Sequence, residues 1–150
     1  MATLTSSRAL ATVPATLFAG NGVVQAAYGS YTLAANPTIA DVIEFCRVPA
    51  GSVILGGWFR GEDIDTGTET LDIDIGTSTD PDAFGNFGVL TGDATTDVKP
   101  EASILYTLNG TLKSGPVSVS SETVIIGTVN AVANAGGTGV LWVCVLYVPA

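Results

Sequence analysis

The sequence predicts an all-β protein, a two-sheet antiparallel β-sandwich of jelly-roll type with an extended N-terminal arm. Three observations carry this. From Ala26 onward, runs rich in β-branched and aromatic residues are cut by Gly, Pro, Asn and Asp every roughly 8 to 15 residues, the punctuation of short strands. The segment Leu71-Asp72-Ile73-Asp74-Ile75 alternates apolar and acidic side chains, which a strand sorts onto opposite faces, one toward a core and one toward water. A third run, Val140 to Val148, is apolar on both faces, as a central strand covered on each side is. The 150 residues, 47% of them apolar, suffice for one domain that buries roughly 68–70% of the surface its unfolded chain exposes.

Residues 1–25 read as the arm. They mix Ala, Thr and Ser with spaced apolar residues and sustain neither a helical nor a strand period. Pro14 limits any helix, and Gly20-Asn21-Gly22 is turn chemistry, because Gly and Asn tolerate positive φ. Leu4, Leu10, Val13, Leu17 and Phe18 are too apolar to be left in water, so the arm is expected to pack on its own domain, a sister subunit or a larger surface.

The sandwich occupies 26–150. Strands are expected at Ala26 to Leu33, Asp41 to Val48, Ser52 to Arg60, Glu69 to Ile75, Phe87 to Leu90, Ile104 to Leu108, Thr111 to Lys113, Thr123 to Val132 and Gly139 to Val148. Trp58 and Phe59 must point to opposite faces of their strand, one into the core and the other toward a sugar or a neighbouring subunit. Gly56-Gly57 before them marks a bulge or a close backbone approach, since no helix follows to make a phosphate cradle. Asn109-Gly110 is expected to close a two-residue type I′ hairpin, which needs positive φ at both central positions. The stretches Ala34 to Ile43 and Ala131 to Gly139 read as loops, the second too Gly-rich to hold strand pairing. The second face of Val140 to Val148, which carries Trp142, needs a cover from the arm or a neighbouring subunit.

Fourteen acidic residues face five basic ones and no histidine, giving a formal charge of −9 and a pI near 4.1. Nucleic acid is not an expected partner, because Arg8, Arg47, Arg60, Lys99 and Lys113 are scattered rather than striped along a phosphate-binding surface. The same repulsion argues against an anionic membrane surface, and no apolar run approaches the roughly 20 residues a spanning helix takes. Without histidine, Ser-His-Asp and Cys-His catalysis and imidazole zinc sites are absent. Cys46 and Cys144 each sit inside an apolar run and are expected as buried free thiols.

Eight of the fourteen carboxylates lie between Glu62 and Asp82. The turn Gly61-Glu62-Asp63-Ile64-Asp65-Thr66-Gly67 offers oxygens of the kind calcium takes, but its spacing is not that of an EF-hand loop. A solvated acidic face that maintains solubility explains the block better. A glycosidase pair would need two carboxylates set across a cleft, and aspartates alternating on an exposed strand do not form one. The expectation is a protein that is not an enzyme, with no catalytic residues, no metal and no cofactor.

Two stretches, Ala26-Ala27-Tyr28-Gly29-Ser30-Tyr31-Thr32-Leu33 and Val48-Pro49-Ala50-Gly51-Ser52-Val53-Ile54-Leu55-Gly56-Gly57-Trp58, lead into Asp63-Ile64-Asp65-Thr66-Gly67 and Asp74-Ile75-Gly76-Thr77-Ser78-Thr79-Asp80-Pro81-Asp82. Together, over roughly Ala26 to Phe87, this run resembles tailed-bacteriophage virion structural proteins of the capsid decoration, or cement, type. The resemblance implies a small acidic jelly roll that binds the outer surface of a phage head and stabilises contacts between major shell subunits, often as a homotrimer. The implied partners are the major capsid protein and further copies of the chain. The implied place is the outer capsid surface of the virion, after synthesis in the bacterial host cytoplasm. The candidate shell or subunit contacts are Leu4, Leu10, Val13, Leu17, Phe18 and Trp142. The alternatives are another virion role, in a head fibre, neck or tail, and a carbohydrate-binding β-sandwich module.

Overall fold

The computed structural model describes residues 2–5, 23–62, 64–66, 68, 70–86 and 104–149. They form nine strands: β1 (Thr3–Thr5), β2 (Gln25–Leu33), β3 (Val42–Val48), β4 (Val53–Gly61), β5 (Asp72–Gly76), β6 (Ile104–Thr107), β7 (Val117–Ser118), β8 (Thr123–Ala131) and β9 (Gly139–Val148). A first sheet has the order β1-β3-β8-β5 and a second the order β2-β9-β4-β6, with β7 also paired to β4. From β2 to β5 the chain crosses from one sheet to the other at every step, and β8 and β9 do so again, which is jelly-roll winding. Every pairing is antiparallel except that of β1 with β3. The predicted two-sheet sandwich is the observed fold.

Alternation builds the core. Leu141, Val143, Val145 and Tyr147 of β9 point inward beside Phe59 of β4, and meet Ile43 and Phe45 of β3, Ile73 and Ile75 of β5, and Ile125 of β8. Phe45 packs edge-on to Phe59 across the two sheets at 6.4 Å, and Phe59 stacks on Tyr106 of β6 at 6.1 Å. The register of β3 slips between Glu44 and Cys46, and this bulge lets the consecutive residues Phe45 and Cys46 both enter the core. Cys46 and Cys144 are both buried free thiols, and burial pushes the Cys46 thiol up to about 12.

The Gly56-Gly57 pair does what its sequence implied. The register of β4 against β9 shifts between Ile54 and Gly56, and a Cβ on Gly57 would lie 2.1 Å from the backbone oxygen of Cys144. Only a residue without a side chain lets β4 and β9 run this close.

Several expectations are corrected. Asn109-Gly110 does not close a hairpin, and Thr111 to Lys113 is not a strand: Gly110–Ser114 is a 3-10 turn that Asn109 caps. Asn109 has φ −137°, so only Gly110, at φ +60°, takes the positive φ that a type I′ turn needs at both positions. Tertiary bonds impose this: the N–H of Asn109 donates to the Phe84 oxygen at 2.7 Å, and the N–H and hydroxyl of Thr111 donate to the Ala83 oxygen at 2.9 and 2.8 Å. The segment thus docks on the 82–86 loop, where a Cβ on Gly110 would lie 2.3 Å from the Ala83 oxygen.

Likewise β5 starts at Asp72, later than expected, because the N–H groups of Thr70 and Leu71 donate to the Asp65 carboxylate. The strand's aspartates do face away from the core, but Asp74 does not reach water, being 7% exposed. The arm's first residues, expected to lack strand period, pair as β1 along β3, with Leu4 opposite Ile43. The expected strand Phe87 to Leu90 lies outside the described residues.

Candidate interaction face

The register of the second sheet lays out its outer face row by row. Across β6, β4, β9 and β2 one row runs Thr107, Trp58, Cys144, Tyr28, and the next runs Leu105, Arg60, Trp142, Ser30. Cross-strand neighbours of this kind stand roughly 4.5–5.5 Å apart at Cβ, so the rings of Tyr28, Trp58 and Trp142 and the aliphatic Leu105 form one continuous surface. Leu105 is 63% exposed, Tyr28 54%, Leu55 42% and Trp58 40%. Exposed large apolar groups gathered on one face are what a folded chain in water ordinarily avoids. Phe59, by contrast, is fully buried, so the Trp58-Phe59 pair divides between face and core as strand alternation requires.

Between Tyr28, Trp58, Trp142 and Cys144 lies a shallow depression of about 360 Å³. Arg60 borders it, its guanidinium carbon 5.1 Å from the centroid of the Trp142 ring. The ring's negative face partly satisfies the cation there. The backbone approach at Gly57 fixes β4 against β9 and therefore fixes Trp58 against Cys144.

Charge is divided between the sheets. β2, β4, β6, β7 and β9 contain no Asp or Glu, and Arg60 is their single charged residue. Glu44, Asp72 and Asp74 belong to strands of the first sheet. Glu122, just before β8, binds Arg47 of β3 at 2.8 Å.

The acidic turn serves the fold. Asp65 is 3% exposed, and its carboxylate accepts from the backbone N–H groups of Thr70, Leu71, Asn134 and Ala135 at 2.7 to 3.2 Å. Burial pushes this carboxyl up, but the four donors outweigh it and hold it at about 2. It thereby clamps the Gly-rich loop after β8 to the loop before β5, aided by the N–H of Gly137 on the Ile64 oxygen. Glu62 is engaged too, accepting from the N–H of Val140 at 2.8 Å. The other two carboxylate residues of the 61–70 segment, Asp63 and Glu69, lie outside the described residues.

Of the six contact residues expected from the sequence, two are placed. Leu4 packs, half-buried, on its own core in the first sheet, and Trp142 lies on the outer face of the second. The structure does not bring these two together. Leu10, Val13, Leu17 and Phe18 lie outside the described residues. Tyr28, Leu55 and Leu105 went unsignalled, because each sits in a mixed run whose outward face alternation alone does not assign.

No family model and no curated protein matches this sequence. Solved structures do share the fold. The similar chains include one titled as the capsid of Ralstonia phage GP4, with a TM-score of 0.77 and 17% identity over 99% of this chain and 98% of that one. A chain of the cyanophage Pam1 capsid asymmetric unit gives a TM-score of 0.66 and 22% identity over 97% and 98%. One from the acidic stable capsid structure of Helicobacter pylori bacteriophage KHP30 gives 0.60 and 13% over 87% and 92%.

Proposed function

We propose that the chain is a bacteriophage virion structural protein of the capsid decoration type. It binds the outer surface of the head, stabilises contacts between major shell subunits, and acts as a homo-oligomer, a trimer by the family resemblance. The observation that carries this reading is the length of the fold likeness: chains from three phage capsids match this sandwich over 87% or more of their own and this chain's residues. Composition supports it, because a strongly acidic, histidine-free sandwich suits a surface clamp better than a catalyst. Its work is binding rather than catalysis, with no cofactor, nucleic acid or membrane involved. The apolar arm residues Leu10, Val13, Leu17 and Phe18 supply shell contacts in this reading.

Quantifying this chain against the major shell subunit in purified intact particles tests it. A fixed, high ratio is the expected result. A handful of copies per particle would move the chain to a head fibre, neck or tail, and absence from particles would discard the virion role. The exposed rings of Tyr28 and Trp58 beside the half-buried Trp142, around a shallow depression, favour a second reading, a saccharide-binding module, and glycan binding by a chain absent from particles would establish that instead.

A further inference from the structure

We infer that the outer face of the second sheet is the surface through which copies of this chain meet, which rests on the proposed role only for the purpose of the oligomer. Three features of the face select a second copy as the occupant. The first is charge. At −9 net, two copies repel over most of their surfaces, and that repulsion reaches about 8 Å at physiological salt. They can come into contact at low cost only where carboxylates are absent, and the strands of the second sheet contain none. A cationic partner would instead be drawn to the first sheet, which carries Glu44, Asp72 and Asp74.

The second feature is chemistry. Trp, Tyr and Arg are the residues that carry most binding energy where protein surfaces meet, and charged residues are depleted at the centre of such patches. Here Trp58, Arg60 and Trp142 stand on the two central strands, with Tyr28 of β2 and Leu105 of β6 in the rows beside them. Arg60, already over the Trp142 ring, brings no bare cation to the contact.

The third is size. Three strands of nine or ten residues and the four-residue β6, at about 4.8 Å spacing and about 3.3 Å per residue, give a face of roughly 500 Å² before side-chain relief. Side-chain relief raises that toward the roughly 800 Å² per partner that a standard interface buries.

Sedimentation equilibrium of the full chain, read alongside its intrinsic fluorescence, tests this. Both tryptophans of the sequence, Trp58 and Trp142, belong to the face, so their emission reports on it specifically. The expected result is reversible association that blue-shifts the emission and tightens as salt is raised. Leu105→Glu, at a position 63% exposed where folding tolerates the change, is expected to weaken association at least tenfold. Ile39→Glu, 64% exposed in the loop between β2 and β3, is expected to leave it unchanged.

A wild-type chain that stays monomeric, or a Leu105→Glu chain that associates as the wild type does, overturns the inference. So does association without an emission change, or loss of association in Ile39→Glu. A monomeric chain present at high copy on particles would overturn the inference and leave the decoration role standing. A self-associating chain absent from particles would do the reverse.

Discussion

At the scale of single residues, two buried aspartates pull stability in opposite directions with pH. The Asp65 carboxyl, at about 2 in the fold, lies below its ordinary value of about 3.9. Its contribution is therefore fully present above about pH 4 and is lost as pH falls toward 2, amounting to about 2 to 3 kcal/mol by linkage. Asp65→Asn leaves fewer acceptor sites for four backbone donors, so urea unfolding at pH 7 should show a loss of about 2–4 kcal/mol that shrinks below pH 4. Asp74 behaves otherwise. Burial raises its carboxyl, the Asn130 hydrogen bond at 2.7 Å opposes that, and the charges of Asp72 and Asp82 raise it further. Its ionised form is disfavoured in the fold, so it costs stability at neutral pH and that cost disappears as pH falls through its raised value. Asp74→Asn keeps an acceptor for Asn130, removes the repulsion, and offers amide donors beside Asp72 Oδ1 and Thr128 Oγ1, two buried oxygens without a hydrogen-bond partner among the described residues. The variant should melt about 2–4 °C higher than wild type at pH 7, with the difference vanishing in acid.

Among the elements, β4 and β9 decide the rest. At Gly57 a new Cβ would run straight into the Cys144 carbonyl, and nothing flexible stands between them. Gly57→Ala should destabilise by about 3 kcal/mol or more in denaturant unfolding, because the ladder itself must move. Gly61→Ala, in the same strand, meets among the described residues only the side-chain ends of Leu141 at 3.2 Å and Ile64 at 3.8 Å, and should cost less than about 1 kcal/mol. Equal losses in the two variants would mean that the close approach at Gly57 does not hold the sheet. This scale also explains which strands were readable. Val140 to Val148 was legible as a central strand because both of its faces are apolar, and β9 does lie between β2 and β4. The Asn109-Gly110 turn was not, since its local preference is overridden by hydrogen bonds to Ala83 and Phe84, more than 20 residues upstream.

For the whole molecule, the decisive property is the division of charge between the two sheets. Salt should strengthen contact between copies through the carboxylate-free sheet, whereas contact with a basic shell surface through the acidic sheet would weaken with salt; measuring both at two ionic strengths separates the faces. The sequence by itself determined the all-β class, the sandwich, the buried thiols, the bulge at Gly56-Gly57 and the opposed placement of Trp58 and Phe59. Each depends on local steric preference or on two-residue alternation, and both are written in neighbouring residues. Which strands lie side by side was decided only by the tertiary structure, because pairing partners are distant in the chain. Tyr28 became the neighbour of Cys144, Leu105 the neighbour of Arg60, and Asp65 the acceptor for a loop 69 residues further on. The aromatic face exists through that pairing: its residues come from four strands whose alternation says that each has an outer side, and only the register makes those outer sides one surface.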